Sequence, residues 1–306
     1  MAPAGCLTDK VVAITGGGRG IGRAYALHCA SEGAAVVVND FGGSLAGDGH
    51  DAGPASEVVA EIEAAGGRAC ANIANVADAD SAATIISDAV EKFGRIDAVV
   101  NNAGVSRDGM FHKMTEENWQ AVIDVHLGGS FNVSRAAAPH FREQGSGAFV
   151  HTTSTSGLIG NVGQSNYSAA KMGILGLSNS IALDMRRYKV RSNCVAPFAW
   201  SRMTDSIPTD TPEAKQRVER LKTMTADKVA PMVAFLCSDL SRDVSGQIFS
   251  VRKNEIFLFK MPRPVRSMHR DEGWTAASIA SDLMPALSPD LSPLQVSAEV
   301  FPWDPI

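Results

Sequence analysis

The chain has no cysteine framework, no metal-ligand cluster, no membrane-length apolar run and no excess of positive charge. Each absence removes a class of protein. The five cysteines (Cys6, Cys29, Cys70, Cys194, Cys237) are odd in number, scattered and without a C-x-x-C pair. They read as reduced, mostly buried thiols of a cytoplasmic protein rather than a disulfide scaffold. His, Cys, Asp and Glu do not gather at metal-ligand spacing, so no metal site is expected. No apolar run approaches the roughly 20 residues that span a bilayer. The segment Met1–Lys10 has no charged region followed by an apolar one, so neither a membrane nor a secretory leader is expected. The net charge of −5 argues against nucleic acid as the main partner.

What remains is a chain of 306 residues, 45% apolar, with 28 glycines. That is long enough for a substantial core, and rich enough in glycine for many tight strand-to-helix turns. Short β-branched runs at Lys10–Thr15, Ala35–Asn39, Arg68–Ile73, Ala98–Val100, Ala148–Thr153 and Arg191–Ala196 read as buried strands. Helical patterns fall between them, over Gly20–Glu32, Pro54–Ala65, Ala79–Phe93, Glu116–Phe141 and Ser165–Arg187. A further unit, helix Ala226–Cys237 and strand Gln247–Val251, brings the expected strand count to about seven. Alternation of this kind predicts an α/β fold, a doubly wound parallel sheet with helices on both faces.

Two regions break the rhythm. Ser201–Thr225 is polar and proline-containing, and it follows a strand's C-terminal end, a position that suits a substrate lid. Beyond Val251 the chain is poorly periodic: Ile256–Phe259 can add a strand, Thr275–Leu283 a helix, and Pro285–Pro305 is proline-rich. The expected organisation is a dinucleotide-binding catalytic domain over 1–252 and an extension over 253–306 packed on the core or on a neighbouring subunit.

The segment Thr15-Gly16-Gly17-Gly18-Arg19-Gly20-Ile21-Gly22 joins the first strand to the first long helix. Glycines there let the backbone approach a pyrophosphate, which the helix N-terminus stabilises. Asp40, ending the second strand, can accept hydrogen bonds from ribose hydroxyls and repel a 2′-phosphate, which argues for NAD. Arg19, inside the loop, is the counter-argument for NADP. Asn102, Ala103 and Gly104, in Asn101-Asn102-Ala103-Gly104 after the fourth strand, read as a wall along the cofactor. Asn75 and Val76, past the third strand, join the cofactor-binding set.

Tyr167 and Lys171 stand four residues apart, hence on one face of a helix. An ammonium beside a phenol favours the phenolate and lowers the phenol's pKa, which suits proton transfer at an alcohol or ketone.

Taken in order, the glycine loop, Asp40, N-N-A-G, an upstream serine and Y-x-x-x-K resemble the short-chain dehydrogenase/reductase superfamily over about Lys10–Val251. The resemblance implies that Tyr167 is the acid/base. It also implies that Lys171 tunes the tyrosine and holds the nicotinamide ribose. Ser154, thirteen residues before the tyrosine, would bond the substrate oxygen, with Thr153, Thr155 and Ser156 close enough to exchange places with it. Asparagine is usual in the helix after N-N-A-G; His126 stands there in Val125-His126-Leu127-Gly128-Gly129, as a structural residue or as part of a proton relay from Lys171. The usual proline-glycine after the sixth strand is Pro197-Phe198, so nicotinamide contacts carry over to Pro197 and Ser201.

Val36–Gly43, Val125–Phe131, Gly160–Lys171 and Ala196–Thr204 further resemble the (3R)-hydroxyacyl-CoA dehydrogenase unit of peroxisomal multifunctional enzymes and its bacterial stand-alone relatives. NAD as cofactor, an acyl-CoA or steroid-like small molecule as substrate, and a homodimer or homotetramer are what this implies. The alternatives are a hydroxysteroid or steroid side-chain CoA dehydrogenase, a ketoacyl-carrier-protein reductase, which Asp40 disfavours, and a silent NAD-binding scaffold, which the intact Ser154, Tyr167 and Lys171 disfavour. The stretch Arg252, Lys253, Lys260, Arg263, Arg266, Arg270 is either solvated surface or a seat for the phosphates of CoA.

Overall fold

The structure is a computed structural model and describes residues 5–200 and 211–306. Eight strands form one sheet: β1 (Val11–Thr15), β2 (Ala35–Asn39), β3 (Arg68–Asn72), β4 (Ala98–Asn101), β5 (Gly147–Thr152), β6 (Val190–Phe198), β7 (Ile248–Arg252) and β8 (Glu255–Phe259). Their order across the sheet is β3-β2-β1-β4-β5-β6-β7-β8. The first seven run parallel and β8 runs antiparallel to β7. The sheet thus has one strand more than the seven expected. Arg252 pairs with Glu255, which leaves Lys253 and Asn254 as a two-residue turn. Lys253 takes φ +56°, the left-handed conformation that tight hairpins demand. The expected boundary after residue 252 falls inside this hairpin.

The described helices that matter for the site are α1 (Gly20–Ser31), α2 (Gly53–Ala64), α3 (Ala79–Phe93), α4 (Glu116–Ile123), α5 (Gly129–Gln144), α6 (Thr155–Leu158), α7 (Ser165–Asp184), α8 (Pro212–Lys222) and α9 (Ala230–Cys237). They cover both faces of the sheet, and alternate residues of each strand divide between them. In β1, Val12 and Ile14 join one cluster with Tyr25 of α1, Ile62 of α2 and Leu236 of α9. Val11 and Ala13 join the other, with Ile85 of α3 and Phe141 of α5. Burial on both faces is why these strands read as unbroken apolar runs. Among the described residues, no helix is long and apolar enough to cross a membrane.

From β1 the chain builds outward through β2 and β3, then returns to place β4 on the other side of β1. Loops leaving β1 and β4 therefore diverge and open a crevice at the strands' C-terminal ends. The single helix expected over Glu116–Phe141 is two helices, α4 and α5, joined by a π-type turn at Asp124–Gly128. Such a turn accommodates an extra residue and recurs at functional sites. Here it carries His126, which is 2% exposed.

Past β8 the chain crosses the surface, is helical over 276–290, where a helix was expected over Thr275–Leu283, and then returns. Phe301 packs against Phe198, Phe257 and Phe259. The Arg252 guanidinium donates to the Trp303 carbonyl, and the Asn254 N–H donates to the Ile306 carbonyl at 2.9 Å. The last residues thus pack against β6, β7 and β8.

Candidate active site

The crevice floor is the turn between β1 and α1. Gly16 and Gly20 take φ +61° and +52°, and a Cβ on Gly22 would lie 2.0 Å from the Gly16 carbonyl oxygen. Only glycine fits such a cradle. Helix α1 has neither a side-chain cap nor an acidic residue in its first turn, so the positive end of its dipole faces the crevice. Thr15 ties this loop to the next: its Oγ1 accepts the N–H groups of Asn102 and Ala103 at 2.9 and 3.0 Å. The Asn102 amide donates back to the Thr15 and Gly16 carbonyls at 3.1 and 3.2 Å.

At the end of β2, Asp40 accepts the Gly18 N–H at 2.9 Å and the Gly42 N–H at 2.8 Å, one on each carboxylate oxygen. Arg19 turns away from a free role. Its guanidinium donates to the Gly43 and Gly42 carbonyls at 3.0 and 3.3 Å, with the Asp51 carboxylate 3.8 Å away.

The other end of the crevice is built on β5 and the first turns of α7. Lys171 is 3% exposed; its Nζ donates to the Thr152 carbonyl at 2.6 Å and lies 5.5 Å from the centre of the Tyr167 ring. Burial, with no carboxylate to offset it, pushes the Lys171 pKa down to about 7. The Tyr167 phenol is pushed above its usual value, chiefly by burial. A hydrogen bond from Ser154 pulls it back, and the Asp108 carboxylate adds to the rise. This differs from the lowering expected of a Y-x-x-x-K pair, because desolvation of the buried phenol outweighs the interaction with Ser154.

Ser154 caps α6, its Oγ accepting the Ser156 N–H at 3.1 Å. The neighbouring hydroxyls are committed elsewhere: Thr153 donates to the Lys171 carbonyl at 2.9 Å and Ser156 to Gln164 Oε1 at 2.9 Å. Ser154 is the hydroxyl of this stretch that acts on Tyr167, lowering the phenol's pKa against the effect of burial. Asn166, fully buried, donates to the Arg107 and Asn118 carbonyls and accepts the Tyr167 N–H at 2.8 Å. It fixes the start of α7 and so the bearing of the tyrosine.

His126 packs edge-on to the Tyr167 ring, with centroids 5.2 Å apart and planes at 88°. Its Nε2 lies 3.1 Å from the Val105 nitrogen and 2.9 Å from the Val105 oxygen. A donor and an acceptor therefore serve one ring nitrogen, and either neutral tautomer is accommodated. Its Nδ1 has no partner among the described residues. Burial first, and the Lys171 charge second, push its pKa down to about 3. Gly104 makes the room: a Cβ there would lie 2.3 Å from His126 Cε1.

One cavity of about 1190 Å3 is lined by every catalytic and cofactor-binding candidate named above except Ser201, which lies outside the described residues. It gathers Gly16, Arg19, Gly20, Ile21, Gly22, Asp40, Asn75, Val76, Asn102, Ala103, Gly104, His126, Ser154, Tyr167, Lys171 and Pro197. The expected lid is described only from Thr211 onward, where Arg220, Leu221 and Met224 reach the cavity. Of the six cations of the basic stretch, only Arg252 borders it. Sequence reasoning missed Asp108 and Gln164, which hydrogen-bond each other at 2.8 Å on the rim, and residues 297–305. No local pattern marks any of them. The glycine cradle and uncapped helix end at one side, and the tyrosine, serine and lysine at the other, fit a nicotinamide dinucleotide.

Residues 10–211 match the short chain dehydrogenase family. The chain is 52% identical over 236 residues to a short-chain type dehydrogenase/reductase of Mycobacterium tuberculosis, covering 77% of this chain and 79% of that one. It is 45% identical over 243 residues to the peroxisomal hydratase-dehydrogenase-epimerase of Saccharomyces cerevisiae, covering 79% of this chain. It spans only 26% of the yeast protein's length. The crystal structure of a short chain dehydrogenase from Mycobacterium avium superposes with a TM-score of 0.82 at 41% identity, covering 95% of this chain and 98% of that one. Fold and cavity define an NAD(P)-dependent oxidoreductase with a small-molecule substrate. The chain belongs to the short-chain dehydrogenase/reductase family.

Proposed function

We propose that the protein catalyses reversible hydride transfer between NAD and a secondary alcohol, the 3-hydroxyl of a (3R)-hydroxyacyl-CoA. The observation that carries this is the single cavity holding the glycine cradle and Asp40 together with Ser154, Tyr167 and Lys171. The acyl thioester is supported by the motifs around His126 and Tyr167 and by likeness to a relative named a hydratase-dehydrogenase-epimerase.

The amides of Gly20, Ile21 and Gly22 hold the pyrophosphate, Asp40 the adenosine ribose, and Lys171 the nicotinamide ribose. Asn75, Val76, Asn102, Ala103, Gly104 and Pro197 wall the rest. NAD is favoured over NADP because the Asp40 carboxylate is held by two amides at the end of β2, while Arg19 is already engaged. When bound, the nicotinamide accepts the hydride or returns it.

In oxidation Tyr167, as phenolate, takes the hydroxyl proton while Ser154 orients the oxygen and the carbonyl forms. Lys171, with its Nζ 5.5 Å from the centre of the Tyr167 ring, supplies positive charge that stabilises the phenolate. His126 stays neutral and positions the Tyr167 ring. A homodimer or homotetramer through α4, α5 and α7 is supported by Trp119, Phe131 and Met172, which are exposed there. The free cysteines suit a cytoplasmic setting.

NAD reduction measured with (3R)- and (3S)-hydroxyacyl-CoAs and a panel of hydroxysteroids tests this reading. Turnover of the 3R thioesters is expected. Turnover of hydroxysteroids alone would replace the substrate assignment.

A further inference from the structure

The last residues of the chain lie beyond the stretch that matches the family, yet they border the same cavity as Ser154 and Tyr167. They are held there from several sides. The Ser297 N–H donates to the Gly160 carbonyl at 3.3 Å. Phe301 sits among Phe198, Phe257 and Phe259, with ring centroids 5.1, 5.1 and 6.4 Å away. Trp303 Nε1 donates to Glu255 at 2.8 Å, and Asp304 pairs with Arg220 of α8 at 3.2 Å. This is a wall formed when the chain folds, so a ligand meets it already ordered.

Its chemistry selects what can rest on it. Arg220 is paired with Asp304 and Arg252 with Glu255. Arg19 and Arg107, the remaining arginines on the cavity, are tied to Asp51 and to Asp48 and Glu117. No arginine on the cavity is left over for a phosphate among the described residues. The side chains at this end include Phe301, Pro302, Trp303, Leu221 and Met224, which suit an apolar chain.

We propose that residues 297–304 are the wall against which the acyl chain of the substrate lies, and that they set the chain length accepted. This rests on the acyl-thioester reading above. The test compares kcat/KM for 3-hydroxypalmitoyl-CoA with that for 3-hydroxybutyryl-CoA in the wild type and two variants. Phe301→Ala opens the wall and is expected to raise the long-to-short ratio about tenfold; Ala298→Trp narrows it and is expected to lower the ratio about tenfold. Ala298 is exposed on the cavity, so the second variant removes no core contact and remains informative if the first unfolds.

Opposite shifts, or a fall in Ala298→Trp alone where Phe301→Ala does not fold, support the assignment. Wild-type turnover with an unchanged ratio in every folded variant overturns it. No wild-type turnover of any 3-hydroxyacyl-CoA overturns the acyl-thioester reading, and this assignment with it.

Discussion

The two ends of the cavity are built on different principles. The cofactor end is made by short-range geometry: a left-handed glycine, an uncapped helix and a carboxylate at a strand end, with Asp40 only 22 residues from the Gly18 amide it holds. The carboxyl-terminal end is made by long-range closure, as where the Ser297 hydroxyl meets the Gly160 carbonyl 137 residues away. Local geometry leaves a spacing that can be read along the chain. Closure leaves none, because its partners are chosen by packing.

That contrast can be tested from the largest effect downward. Tyr167→Phe, at the junction of the two ends, is expected to lower kcat by about 10²- to 10⁴-fold, the range for loss of a general acid/base. NAD binding, followed by fluorescence titration, should hardly change; retention of more than about a tenth of wild-type turnover would remove Tyr167 from its role. Asp40→Ala strikes the cofactor end alone. Losing a hydrogen bond to a charged group costs about 1.5–3 kcal/mol, so kcat/KM for NAD should fall about 10- to 100-fold while NADP gains relative to it. An unchanged NAD to NADP ratio would show that Asp40 is only a brace for the loop.

Gly104→Ala should cost about 1–3 kcal/mol in denaturant unfolding, because the new methyl overlaps the His126 ring. If Gly104 matters only for the cofactor, stability of the free protein will not change. The His126 pKa, about 3 when folded against 6.5 for a free imidazole, predicts an acid effect of definite sign. Between pH 6.5 and 3 the unfolded chain binds the proton and the folded one does not, so stability is full above this window and is lost as pH falls through it. In His126→Asn the slope of stability against pH there should drop by about 1.4 kcal/mol per unit. Arg220→Ala, which breaks the exposed pair with Asp304, is the smallest change, at about 1 kcal/mol or less in thermal unfolding. A much larger loss would mean that the terminal wall is a keystone of the fold.

The parallel part of the sheet was legible because strands buried on both faces are apolar throughout and helices announce themselves by period. The eighth strand was harder to count, since its hairpin turn is Lys253-Asn254 without a glycine. The break between α4 and α5 was hidden because a π-type turn hardly disturbs helical spacing. In the site, the glycine loop, Asp40, the asparagines, Ser154, Tyr167 and Lys171 were all visible as spacings. What they do to one another was less so: the phenol of Tyr167 is raised rather than lowered, because burial outweighs the interaction with Ser154.

The sequence by itself determined the parallel sheet, the glycine loop after β1, the carboxylate after β2 and the tyrosine-lysine pair. Each is enforced by backbone geometry over a few residues, and such constraints survive in linear spacing. Only the tertiary structure decided that His126 is buried and neutral against Tyr167, that Arg19 is engaged, and that the chain's end returns to border the cavity. Those outcomes depend on desolvation and on contacts between residues distant in the chain, and neither quantity exists until the sheet has closed and excluded water.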